Sequence, residues 1–163
     1  MVDPDAEPIS VSNADSLLLD SMLGKLATYL RMCGYDAAYV LDDGPDPGDD
    51  AVLERAREEG RTLVTRDERL AARADESVLL SSKAVTDQLA EFAAAGYSPR
   101  LGDRPTRCGS CNGPVAPVDA GESVPEYAPD PDERPLWRCR DCGQVFWRGS
   151  HWADVAARLD AVR

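Results

Sequence analysis

Short apolar runs closed by polar residues alternate with amphipathic stretches through the first hundred positions. Leu17-Leu18-Leu19 ends in Asp20, Asp36–Leu41 carries Ala37, Ala38, Tyr39 and Val40, and Leu63-Val64 lies between Gly60 and Asp67. These runs and Ser77–Ser81 are too short for helices and predict four strands. Between them, Met22, Leu23, Leu26, Ala27, Leu30 and Cys33 fall at helical spacing and predict a helix over Met22–Cys33. Ser21 is its expected cap and Gly34 its expected C-terminal stop. A second helix opens at Asp49 or Asp50, carries Ala51, Val52, Leu53 and Ala56 inward, and ends at Gly60. A short third runs from Glu68 to about Ala74, and Ala84–Ala95 buries Val85, Leu89 and Phe92. Asp42–Gly48 is a loop by its Asp, Gly and Pro content. Strands alternating with helices imply βαβ units, a parallel sheet and a three-layer α/β domain over residues 16–103. Residues 1–15, rich in acids and without periodicity, read as a flexible tail.

The pattern changes near Asp103-Arg104-Pro105. Cys108-Gly-Ser-Cys111 and Cys139-Arg-Asp-Cys142 are two CxxC pairs separated by 27 residues. Four soft thiolates at this spacing suit a tetrahedral structural zinc ion. Disulfides are disfavoured in a cytosolic chain, and a redox site needs only one pair. Pro114, Pro117, Pro125, Pro129, Pro131 and Pro135 break the intervening segment too often for helices. Strands at Pro114–Val118, Leu136–Arg138 and Gln144–Arg148 would make residues 104–150 a zinc ribbon. A last helix over Trp152–Val162, capped by Ser150, fills 151–163. Cys33 lies on an apolar helix face and reads as a core thiol. His151, the only histidine, is unnecessary beside four cysteines and reads as structural or a surface residue. Trp137, Trp147 and Trp152 read as packing residues, with base stacking as the alternative for one of them.

Charge narrows the function classes. The chain carries a net charge of -12 with a sequence pI near 4.4, and only Lys25 and Lys83 are lysines. That excludes a protein coating nucleic acid through a bulk basic surface, but not an arginine-lined site within an acidic shell. A high-salt cytoplasm is one origin for so many carboxylates. Residues 1–103 have net charge -11 and residues 104–163 have -1, which again separates two modules. No apolar run of about twenty residues spans a membrane. The start lacks a signal-peptide pattern, so cytoplasmic location is expected.

Candidate chemistry lies in three acids. Asp20 follows the first strand, Asp67 follows the third, and Asp49-Asp50 opens the helix feeding that third strand. In a parallel sheet these places share one edge, so Asp20, Asp50 and Asp67 can converge. Clustered carboxylates call for a divalent cation, and hard oxygen ligands select Mg²⁺ or Mn²⁺. Alternatively, the three are independent helix caps. Spacing leaves both open.

Five blocks in order carry a family resemblance over about Leu17 to Trp152. They are Leu19–Ala27 (LDSMLGKLA), Leu30–Asp36 (LRMCGYD), Leu63–Leu70 (LVTRDERL), Arg107–Gly113 (RCGSCNG) and Phe146–Trp152 (FWRGSHW). The chain resembles the Mut-seven C-terminal ribonuclease domain family, PIN-like nucleases with an appended zinc ribbon. The resemblance implies metal-dependent RNA cleavage, with Asp20, Asp50 and Asp67 as metal-binding acids. A fourth acid of such sites is expected near the next strand end, where this chain reads Ser81-Ser82-Lys83, with Asp87 as the nearest candidate. Lys25, Arg31, Arg66 and Arg69 lie near the expected acid edge and are candidates for the RNA backbone, with ordinary ion pairing as the alternative. Two other classes compete: a noncatalytic RNA- or ribosome-associated module, and an aspartyl-phosphate protein. The second lacks the DxD acid pair beside Asp20.

Overall fold

The computed structural model describes residues 16–162, so the expected tail over 1–15 lies outside the described residues. Four parallel strands form the central sheet: β1 (Ser16–Leu19), β2 (Asp36–Tyr39), β3 (Thr62–Thr65) and β4 (Ser77–Leu79). They lie in the order β2-β1-β3-β4, with Leu18 paired to Ala38 on one side and Leu63 on the other. Leu17, Leu18 and Leu19 are all fully buried, because helices cover both faces of a parallel sheet.

The alternation along each strand builds two cores. Leu17, Leu19, Ala37, Val64 and Val78 face α1 (Gly24–Met32) and α4 (Val85–Ala94), while Leu18, Ala38 and Leu63 face α2 (Asp49–Glu59) and α3 (Glu68–Arg73). Leu26, Ala27 and Leu30 of α1 and Leu89 and Phe92 of α4 complete the first layer; Val52, Leu53, Ala56 and Leu70 complete the second. Gly60, at φ 66, lets α2 end and Arg61 N–H return to Ala56 O. Cys33 packs against the first core, and burial pushes its thiol up to about 12.

Two helix starts differ from expectation. α1 begins at Gly24 rather than Met22, with no side-chain cap; Ser21 instead donates its N–H to Asp20 Oδ1. The bend at residues 21–22 therefore belongs to the aspartate. α5 (Ser150–Ala161) starts two residues early, with Gly149 rather than Ser150 at the cap position.

Residues beyond Thr106 form an antiparallel ribbon of β5 (Val115–Pro117), β6 (Trp137–Cys139) and β7 (Val145–Phe146). From it α5 returns to the α/β domain. Its Val155 and Leu159 enter the first core and Arg158 donates to Tyr29 Oη at 2.9 Å. No helix among the described residues is long and apolar enough to cross a membrane.

Candidate active site and metal centre

From β1 the chain turns to β2 on one side, and from β3 to β4 on the other. The carboxyl ends of β1 and β3 therefore flank the switch point of the sheet, where open α/β folds form their crevice. Asp20 and Asp67 follow those two ends. Asp20 is 6% exposed; its N–H extends the ladder to Val64 O, while Oδ1 accepts from Ser21 N–H at 2.8 Å and Oδ2 from Thr65 Oγ1 at 2.6 Å. The buried Thr65 hydroxyl also accepts the Asp67 N–H at 3.0 Å. One hydroxyl thus ties the two strand ends together. Asp67 caps α3, its Oδ1 accepting from Arg69 N–H at 2.9 Å and Leu70 N–H at 3.2 Å, and its Oδ2 makes no hydrogen bond among the described residues. Neither aspartate has a cationic partner among the described residues. Burying a carboxylate without a counter-charge is costly, and a bound cation offsets that cost.

Asp50 stands apart. It is on the first turn of α2, its side chain is 90% exposed, and Oδ1 accepts from Arg73 Nη2 of α3 at 2.6 Å. Among the described residues, the three aspartates are not drawn within 4.8 Å of one another; the one group of that kind is the cysteine set. The physical reason is the exposed loop over residues 41–48, which delivers α2 with its first turn facing solvent. Asp87 is exposed on the first turn of α4. The end of β4 nevertheless has a carboxylate that the linear pattern hides. Glu91, one turn further along α4, accepts from Ser81 N–H and Ser82 N–H, and these bonds, led by the Ser81 hydroxyl, hold its pKa below the usual carboxylate value.

The four candidate cations separate into three groups. Lys25 and Arg69 are exposed on α1 and α3. Arg66, between Thr65 and Asp67, is half-buried with its Nε enclosed and without a hydrogen bond among the described residues. Arg31 takes the ion-pairing alternative in this structure. Its side chain is 3% exposed, and it donates to Ala37 O at 2.8 Å, Gly109 O at 3.2 Å and Asp42 Oδ2 at 2.6 Å. It sits one helical turn from Ala27 on the buried stripe, and its guanidinium fastens the ribbon to β2.

The ribbon is joined to the opposite, leading edge of the sheet by a second polar knot. Asn112, at φ 71, accepts Ala37 N–H at 3.0 Å and donates to Asp36 Oδ1 at 2.7 Å. Arg61 also donates to Asp36 Oδ1, and Arg107 lies 3.9 Å from Oδ2. Burial works to raise the Asp36 pKa. The hydrogen bonds from Asn112 and Arg61 and both arginine charges outweigh it, leaving the carboxyl below its ordinary value.

Cys108, Cys111, Cys139 and Cys142 bring all four sulfurs within 4.8 Å of one another, with Cys108–Cys142 at 3.6 Å and Cys111–Cys139 at 3.5 Å. Tetrahedral zinc with Zn–S bonds of about 2.3 Å needs sulfurs roughly 3.8 Å apart, far wider than a disulfide. Ser110 N–H points at Cys108 Sγ, and Asp141 and Cys142 N–H at Cys139 Sγ, as in a knuckle wrapped around an ion. Burial opposes ionisation throughout the cluster and raises Cys108 and Cys111, while at Cys139 these amides and the neighbouring thiols prevail and lower the thiol. The donor set fits zinc. Gly113 lets Asp141 pack closely here, since a Cβ would lie 2.6 Å from Asp141 Oδ2 and push that side chain aside. His151 is exposed and outside this set.

A PIN-like parallel α/β domain with two aspartates at its switch point and an appended cysteine ribbon is the class of protein that fold and sites define. Within that class, the family model described as the Mut7-C RNAse domain matches residues 15–159, and the chain belongs to this family. No curated protein and no solved structure matches it.

Proposed function

We propose that the chain is a divalent-metal-dependent ribonuclease that hydrolyses RNA phosphodiester bonds at the Asp20–Asp67 crevice, with zinc in the ribbon as a structural ion. The observation that carries this reading is the Thr65 hydroxyl joining two cation-free aspartates at the switch point of an RNAse-domain chain. Bound Mg²⁺ or Mn²⁺ would supply an activated water and neutralise charge developing on the phosphate. Asp20, oriented by Ser21 and Thr65, and the unbonded Oδ2 of Asp67 are the first ligands. Asp50 is the third acid, recruited by exchanging its exposed pair with Arg73. Arg66 directs its unsatisfied Nε at a phosphate oxygen, and Lys25 and Arg69 hold the flanking backbone.

Asp67→Asn is the decisive variant, because asparagine caps α3 as well as aspartate does. Zinc content and far-UV circular dichroism should stay unchanged while Mn²⁺-dependent cleavage of single-stranded RNA falls to background; undiminished cleavage would overturn this mechanism. The exposed position of Asp50 favours one second reading, a noncatalytic RNA-binding module. RNA binding indifferent to Mg²⁺ and Mn²⁺, with no cleavage by the unaltered chain, would establish it.

A further inference from the structure

Beside the acid crevice lies a cleft of ≈ 450 Å³ between α1, the first cysteine knuckle and the start of α5. Its volume is in the range of roughly 300–1,000 Å³ that holds small ligands. Met32, Tyr39 and Phe146 give it apolar and aromatic walls, and Gln144 and His151 stand at its rim. Its one buried cation, Arg31, is committed to Asp42 and two carbonyls, so the cleft has no spare positive charge from that source for a phosphate. The uncommitted polar groups are of another kind. Gln144 accepts from Ser110 through Oε1, leaving its amide N–H groups without partners among the described residues, and the His151 imidazole likewise makes no hydrogen bond. Aromatic walls with neutral hydrogen-bonding groups suit a flat, uncharged heterocycle. Tyr39 sets the distance to the chemistry: its hydroxyl donates to Ser21 O at 2.6 Å, one residue after Asp20.

We propose that this cleft receives one unstacked nucleobase of the RNA strand, next to the phosphate at the Asp20–Asp67 crevice, and this rests on the ribonuclease reading. Phe146 and Tyr39 provide the apolar surface for the ring, and Gln144 and His151 hydrogen-bond its edge. His151 becomes a specificity-determining residue contributed by the segment that follows the ribbon.

The single histidine makes the test direct, since its imidazole gives one set of NMR signals. The zinc-loaded full chain, without added Mg²⁺ or Mn²⁺, is titrated with a short single-stranded RNA. The His151 signals should shift, and one abasic position scanned along the strand should weaken binding about tenfold at the place that occupies the cleft. In His151→Ala that difference should narrow. RNA that binds while the His151 signals stay still, with all abasic strands equivalent, would overturn the proposal. The two readings fail separately. Binding with the full signature but no cleavage in Mn²⁺ removes catalysis alone; cleavage with His151 unmoved removes the base cleft alone.

Discussion

The two edges of one sheet treat the same residue type in opposite ways. At the leading edge, Asp36 is surrounded by Arg61, Arg107 and Asn112, and its charge is balanced within the protein. At the trailing edge, Asp20 and Asp67 receive, among the described residues, only neutral donors: Ser21, Arg69 and Leu70 backbone N–H groups and the Thr65 hydroxyl. One arrangement is a completed ion-pair knot. The other orients carboxylates while leaving their charge uncompensated, which is the arrangement that favours a cation from solution. Counting acids along the chain cannot separate the two; the partners do.

That contrast can be broken from either side. The largest expected effect comes from Asp36→Ala, which takes the acceptor from Asn112 and one of several partners from Arg61, and should cost about 3 kcal/mol of unfolding free energy in urea titration. Cleavage per folded molecule should be unchanged; a fall in turnover at full folding would make Asp36 part of the site. Next, Mn²⁺ at a hundred times its Kd should stabilise the unaltered chain by about 2.7 kcal/mol. This gain should survive in Asp36→Asn and vanish in Asp67→Asn, read as shifts in Tm. Equal gains in both variants would place the ion elsewhere. The smallest effect is in acid. The folded pKa of Asp36 lies below its ordinary 3.8, so the unfolded chain takes up this proton first as pH falls. Its contribution is complete above that ordinary value and is lost as pH drops through the folded one. For a pair this exposed the difference between unaltered chain and Asp36→Asn should be less than about 1 kcal/mol, shrinking below pH 4. A difference that grows with acid would reverse the assignment.

The elements that were legible in the sequence are those whose signal is local. Leu17–Leu19 and Leu63-Val64 announce doubly buried strands, and the CxxC spacing announces the four-sulfur cluster. Asp67 as both cap and crevice residue was half visible, because Asp before Glu-Arg-Leu is an N-terminal signal in any context. Arg31 stayed open between RNA contact and ion pairing, because an arginine in a helix reads as solvated unless its turn-by-turn alignment with Ala27 is given weight. The separation of Asp50 was hidden altogether, since it depends on the loop over 41–48 and on Arg73, twenty-three positions away. Glu91 escaped for the related reason that a helix reaches backward to the strand end before it, a relation that no reading of neighbours along the chain contains.

Asn112 has one more consequence. β2 is an edge strand, and the outward N–H and C=O of Ala37 are taken by Asn112 and Arg31 rather than by another strand. A bare edge of this kind templates pairing with other chains. The first cysteine knuckle supplies Asn112 from its turn and Gly109 O to hold Arg31 in place. A metal ion held by the four cysteines would, by fixing this knuckle, also keep the β2 edge covered, and stripping it should expose that edge to pairing with other chains.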